Sequence, residues 1–516
     1  MVFPILGANT ESAAYEISNS VRFDGGSSGN AIGFARFGNN SRDGNTFTIS
    51  AWIKRGELGL NTVLFNSKVE DSGVNSFIMM FENDDKISIG GQPASGSGAG
   101  SHRTVIKTNN IFRDTSAWYH IVYRQDTTQS TAANRHILYV NGTATSNATY
   151  AALDQNVAFA YFYNASSYPF AIANDERDNS YGAFYIAEHH YTDGVSNGPD
   201  AFGETNDNGV WVPKQYTGSH GSYGHYLKFE NSSGGSGTTA IGGHDYTTGS
   251  SSTIGADSSG NDNHFHVQGY GTEDQTTDTP SNNFATLNAT ANFHVGATYQ
   301  EGGTRFVSDE SKYGYAVSTI GVPNGKWYAE FKMISKDGES GNWYMVGVAE
   351  GEQRGHRLVL GRDTNYPSAN QKGGVGYVGY GTNFIYQNDA YYNNDSNSYS
   401  TAAFGDGDII GIALNADDYQ VTFYKNGTAQ NSGTAFELGN FNVYGNQDLP
   451  VGSTGFWHFG CGHFDTGNTF TIDCNFGNAP FSISSGNADA NGYGNFEYSV
   501  PSGYYALCTK NLAEYG

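Results

Sequence analysis

An Asn-Gly pair closes a β-rich run twice in this chain, each time behind a second hydrophobic run. In the first half, residues 117–123 (Ala-Trp-Tyr-His-Ile-Val-Tyr) lead through a polar loop to His136-Ile137-Leu138-Tyr139-Val140-Asn141-Gly142. In the second half, residues 408–414 (Asp-Ile-Ile-Gly-Ile-Ala-Leu) lead to Gln420-Val421-Thr422-Phe423-Tyr424-Lys425-Asn426-Gly427. Both residues of the pair tolerate positive φ, which makes it the strongest short-range signal of a two-residue hairpin turn. A strand–loop–strand–turn unit used twice predicts two β-sandwich domains of related architecture. Such domains usually bind rather than catalyse, and their function sits in loops.

The 516 residues suffice for two or three domains with full cores. Charged residues make up 15% and hydrophobic ones 37%, while glycines number 69 and aromatics reach 14%. Few charges with many Tyr, Phe, Gly, Asn and Ser fit short strands joined by many turns and argue against disorder. The rings supply buried area that the scarce aliphatic residues do not. A formal net charge of −24 argues against nucleic acid or an anionic membrane as a direct partner. No apolar run reaches about 18 residues, so no membrane insertion is expected. The start, Met1-Val2-Phe3-Pro4-Ile5-Leu6-Gly7, lacks the basic and apolar regions of a secretory signal peptide. Cys461, Cys474 and Cys508 have no metal-ligand spacing. They are expected as free buried thiols, with a Cys461–Cys474 bridge across a hairpin as the alternative.

Residues 1–19 read as a leader or anchor, 20–229 as a first sandwich and 291–516 as a second. Between them, residues 230–290 are Gly/Ser/Thr-rich and read as a linker with short strands. The clearest strand is residues 47–55: Phe47, Ile49, Ala51 and Ile53 fall on one face, and Thr48, Ser50, Trp52 and Lys54 on the other. Helical periodicity is scarce, and one short helix is expected near residues 197–204. The expected fold class is all-β.

Residues 18–190 resemble a laminin-G-like, concanavalin-type lectin domain, through Val21-Arg22-Phe23-Asp24-Gly25-Gly26, residues 47–55, Trp118-Tyr119-His120-Ile121-Val122 and Leu138-Tyr139-Val140-Asn141-Gly142. Residues 300–480 resemble a SPRY domain, through Gly325-Lys326-Trp327-Tyr328-Ala329-Glu330-Phe331, Val346-Gly347-Val348-Ala349, residues 405–414 and Phe423-Tyr424-Lys425-Asn426-Gly427. The resemblance implies two concanavalin-like antiparallel β-sandwiches of jelly-roll type. The join (Trp211-Val212-Pro213-Lys214, residues 257–263 and 280–288) and residues 504–512 resemble structural proteins of marine tailed bacteriophages. That likeness implies a virion protein assembled in the bacterial host cytoplasm, with other virion proteins as partners, homo-oligomerisation and a host cell-surface glycan as ligand. The expected function is non-enzymatic attachment of fibre, knob or appendage type. The alternative is a purely structural capsid decoration or tail component.

The carboxylate spacing of concanavalin-type glucanases, Glu-x-Asp-x-(x)-Glu on one strand, does not occur, so the retaining pair roughly 5 Å apart is not expected. Ligand contact is assigned to the loop holding Tyr391, Tyr392, Asn393, Asn394, Asp395 and Tyr399, where phenol faces can stack on sugar rings beside hydrogen-bonding neighbours. Trp52, Trp211 and Trp343 are weaker candidates. No cofactor is certain. Laminin-G-like domains often hold calcium, and Asp84, Asp85, Asp175 and Asp178, with Asp71, are candidates by residue type alone. His189 and His190 are expected on opposite faces of a strand, which does not favour a shared metal ion. His220, His225 and His244 lack ligating spacing, and His264 and His266 could share a face.

Overall fold

Both Asn-Gly pairs form the hairpin turns that the sequence signals. Asn141 and Gly142 have φ of 47° and 76°, and Asn426 and Gly427 have 48° and 76°. The first joins His136–Val140 to Thr143–Ala144, the second Gln420–Lys425 to Thr428–Ala429. Each Asn side chain ties the turn to the strand before it. Asn141 Oδ1 accepts from the His120 N–H and Asn426 Oδ1 from that of Ile409, both at 2.8 Å. A ring from later in the chain lies on each glycine, so an added Cβ would meet Trp211 at 2.5 Å and Tyr498 at 2.6 Å. Left-handed backbone and a displaced ring therefore act together against any side chain. Gly142→Ala and Gly427→Ala should each lose about 2–4 kcal/mol in urea unfolding; a loss below about 0.5 kcal/mol would mean that neither constraint operates.

The computed structural model describes residues 15–25, 33–36, 43–68, 75–92, 103–159, 170–173, 183–241, 244–290, 297–308, 314–336, 344–350, 374–379, 385–387, 390–392, 400–438, 455–463 and 469–516. Their contacts define two units, one of Ala8–Asn283 and one holding Phe284–Gly516. The fold is all-β, two antiparallel β-sandwiches of concanavalin-like type.

In the first unit, an eight-stranded sheet centres on Thr46–Arg55, flanked by Trp118–Asp126 and Ala183–Asp193. A ten-stranded sheet faces it, running from Asn147–Tyr150 to Thr238–Ile241. Phe47, Ile49, Ala51 and Ile53 enter the core with Phe65, Phe77, Ile121 and Phe184. The segment that reads as a linker is built into this unit up to Asn283. Thr238–Ile241, His244–Thr247 and His266–Gln268 extend the ten-stranded sheet, and Gln275–Thr276 pairs with Ser20–Asp24. Here Gly, Ser and Thr serve turns between short strands, a composition that a linker shares.

In the second unit, a nine-stranded sheet around Lys326–Lys336 and Ile409–Asn415 faces a six-stranded sheet around Tyr344–Glu350 and Trp457–His463. Cys461 and Cys474 lie on strands of different sheets, not on one hairpin. Their thiols are free and buried with 4.0 Å between the sulfurs. The expected helix near 197–204 is a single 3-10 turn, Pro199–Ala201, and an α-helix instead occupies Thr509–Tyr515.

The outer face of one sheet in each unit is covered by the chain itself. Trp52, the outward residue of the central strand, is 2% exposed and clusters with Ile17, Trp118 and Tyr185, with Tyr15 and Trp211 packed against them. In the second unit, Phe496 and Cys508 cover Tyr328 and Ala413, and Ala479 and Phe481 cover Ile409. These faces are therefore second cores rather than open platforms.

Candidate functional site

The strand Ala183–Asp193 slips register against Thr46–Arg55 between Ala187, opposite Trp52, and His190, opposite Ser50. Two residues then oppose one, which makes a β-bulge, and Glu188 takes φ of 50° to form it. A non-glycine residue in that region costs of order 1 kcal/mol, and such strain gathers at sites where a side chain must be re-aimed. Here the bulge brings both Glu188 and His190 to a narrow crevice on the outer face, lined also by Tyr15, Ser50, Trp52 and Phe202.

Glu188 is 7% exposed. Its Oε2 accepts from the Tyr226 hydroxyl at 2.6 Å and the Tyr15 hydroxyl at 3.1 Å, with His190 Nε2 at 3.5 Å. Burial first, and the Glu188 charge second, hold both phenols well above their usual range, so they stay protonated donors. His190 stacks on Tyr226 at 4.1 Å, and its Nδ1 lies 3.1 Å from His220 Nε2. Burial, with His190 beside it, pulls half-buried His220 down to about 4. His190 thus lies between the half-buried His220 ring and the buried Glu188 carboxylate, in contact with both. The lining contains no second carboxylate, so the two-carboxylate arrangement of glycoside hydrolysis is not formed there.

Ser50 and His120 beside the crevice look like a nucleophile and its base, with Oγ 2.9 Å from Nε2. Trp211 Nε1, which can only donate, lies 3.0 Å from His120 Nδ1. Nδ1 is therefore the acceptor, Nε2 carries the proton, and Ser50 receives a hydrogen bond instead of losing a proton. Burial pulls this imidazole down to about 3. The pair is structural.

The assigned carboxylates meet cations from the chain. Asp85 is 2.9 Å from Arg55 and 3.1 Å from Arg113, and it accepts from the Gly59 N–H. Asp84 lies 3.0 Å from Lys107 and 3.9 Å from Lys86. Asp71, Asp175 and Asp178 lie outside the described residues, and no group of three or more acidic, His or Cys side chains among the described residues has metal-binding geometry. Tyr391 and Tyr392 belong to the strand Ala390–Tyr392 at the end of the six-stranded sheet. Asn393, Asn394, Asp395 and Tyr399, like Trp343, lie outside the described residues. Trp52 is buried, and Trp211 half-buried. His189 turns to the core, where it stacks on His225 and Phe65, and His190 to the outer face. His264 and His266 accept from the backbone N–H groups of Asp257 and Gly249. Sequence reasoning weighs Glu188 with His189 and His190 as metal ligands and sets them aside on strand alternation; it misses the bulge that brings Glu188 and His190 to one face, since nothing in Ala187-Glu188-His189-His190 marks it.

Residues 25–198 match the model of the concanavalin A-like lectin/glucanases superfamily in its laminin-G form, and residues 326–445 match that of the SPRY domain. A laminin-G-type lectin domain and a SPRY domain are present. Both are binding-type domains rather than catalytic families. Similar solved structures include the SPRY domain of human HERC1, at 15% identity over 36% of this chain and 96% of that one, with a TM-score of 0.27. A heptameric SAP-like pentraxin from Limulus polyphemus is 14% identical over 36% and 79%, at 0.27. A Bacteroides ovatus protein described as carbohydrate binding is 14% identical over 49% and 58%, at 0.30. No curated protein matches the chain.

Proposed function

We propose that this chain is a non-enzymatic attachment protein on the surface of a bacteriophage virion, and that its two binding domains engage a host-surface glycan or receptor. The observation that carries binding over catalysis is the pairing of a lectin-type with a SPRY domain. The virion setting rests on the likeness of residues 211–214, 257–263, 280–288 and 504–512 to phage structural proteins. With the outer faces of the eight-stranded and nine-stranded sheets covered by the chain itself, we assign ligand contact to the aromatic-rich segment from Tyr391 to Tyr399, which begins on an edge strand.

Purified full-length chain should bind a subset of bacterial surface glycans on an array, and Tyr391→Ala with Tyr392→Ala should weaken that binding at least about tenfold. Cryo-EM of particles should place it on protruding appendages. No binding to any glycan or host cell, with the chain located between capsid subunits, would overturn attachment in favour of a structural decoration.

A further inference from the structure

Lys54 is an outward residue of the central strand of the first unit, yet its side chain is 0% exposed. Its Nζ lies 2.7 Å from Asp278 Oδ2 and 2.7 Å from Asn283 Oδ1. Asp278 is equally buried and Asn283 is 3% exposed. The orientation of the amide is fixed, because Asn283 Nδ2 donates to the Ser116 carbonyl at 2.6 Å and so leaves the carbonyl edge on the lysine. Trp118 Nε1 donates to Asp278 Oδ1 at 3.1 Å, and the Tyr185 ring lies 5.5 Å from Nζ. An amine, a carboxamide and a carboxyl group thus converge in a dry, aromatic-walled site within one unit.

We propose that Lys54 and Asn283 join in an intramolecular isopeptide bond, with Asp278 carrying the proton. In a site that water does not enter, the ammonium passes a proton to Asp278 Oδ2, since both groups are then neutral. Burial draws the lysine in the same direction. The freed Nζ lone pair adds to Asn283 Cγ, and the carbonyl oxygen takes the charge. As the Cγ–Nδ2 bond breaks, Nζ passes a proton to the leaving nitrogen and Asp278 returns the one it held to the same atom, so that ammonium departs. One ammonium side chain and one primary amide become one secondary amide and one ammonium ion, and Asp278 ends as it began. No oxidant, metal or cofactor is required; desolvation of the nucleophile and fixed proximity supply the rate. The bond would tie the central strand to a residue 229 positions later, at the end of the unit.

The test is the mass of the denatured full-length chain, followed by peptide sequencing after proteolysis. The expected mass falls short of the sequence by one ammonia, and a branched peptide links Lys54 to Asn283. The Asn-Gly pairs can also lose ammonia by succinimide formation, so the branched peptide is decisive. Asn283→Ala should keep its full mass. Asn283→Asp can condense with loss of water and should reach the same product mass as the native chain. Asp278→Asn, checked for a native circular dichroism spectrum, should yield no branch; a branch at native yield would remove Asp278 from the mechanism. A native chain of full sequence mass with no branched peptide, after prolonged incubation at neutral pH, would overturn the proposal.

Discussion

Acidification below pH 6.5 should unfold the first unit. His120, His136 and His189 are at most 1% exposed, and burial pulls them down to about 3, about 4 and about 3. His189 sits in the core, with Nδ1 3.0 Å from His225 Nε2 and its ring 5.5 Å from that of Phe65, a setting that offers a proton no anion. The unfolded chain binds protons at these rings near pH 6.5 while the folded one does not, so stability is present above 6.5 and is lost as pH falls toward 4 and then 3. Each histidine contributes about 1.4 kcal/mol per pH unit, and the three together about 4 kcal/mol. A domain stable by about 5–8 kcal/mol, the lower part of the usual range, is exhausted within about two such units. Urea unfolding at pH 7, 6 and 5, followed by tryptophan fluorescence, measures the slope. A free energy for the first unit that stays flat from pH 7 to 5 would rule the mechanism out.

In the second unit one carboxylate should contribute a pH dependence of the opposite sign. Glu330 is fully buried on the outer face of the nine-stranded sheet. Its Oε1 accepts from the Tyr498 N–H at 2.8 Å and the Tyr328 hydroxyl at 3.3 Å, and its Oε2 from the Glu497 N–H at 2.9 Å and Asn475 Nδ2 at 3.3 Å. Two of these donors belong to the backbone of the segment that covers the sheet, so Glu330 fastens that segment in place. A glutamine offers one oxygen where the carboxylate offers two. Above pH 7, where the carboxyl is ionised, Glu330→Gln therefore leaves two donors facing an N–H group and should cost about 2–5 kcal/mol, with faster proteolysis around residues 484–498. A variant within about 0.5 kcal/mol of the native chain would show that the four bonds do not fasten the segment. Burial pushes this carboxyl up to about 7, against the pull of its donors. The folded state then holds a proton that the unfolded chain releases near 4.5, so the stability it lends below 4.5 is lost as pH rises toward 7.

Much of the fold is legible in short stretches of sequence. The alternation in residues 47–55 yields the strand Thr46–Arg55, and each Asn-Gly pair yields its turn, because both signals depend on the few residues that carry them. Segment 230–290 is less legible, since Gly, Ser and Thr serve strand ends and linkers alike. The helix Thr509–Tyr515 escapes notice because seven residues are two turns, too few for periodicity to register.

The candidate sites lie beyond what local pattern can reach. Thr48, Ser50, Trp52 and Lys54 read as the outward half of a strand, and nothing nearby shows that all four are buried. Lys54 is sealed from water beside a carboxylate only because Asp278, 224 residues later, folds back over it. Glu188 is aimed into its crevice by a register slip that has no glycine or proline to announce it. The sequence by itself determined two antiparallel sandwiches, their central strands and their hairpin turns, since hydrophobic period and turn stereochemistry act between neighbours. Only the tertiary structure decided which faces are sealed and which polar groups are stripped of water, because desolvation depends on what distant segments bring over a residue.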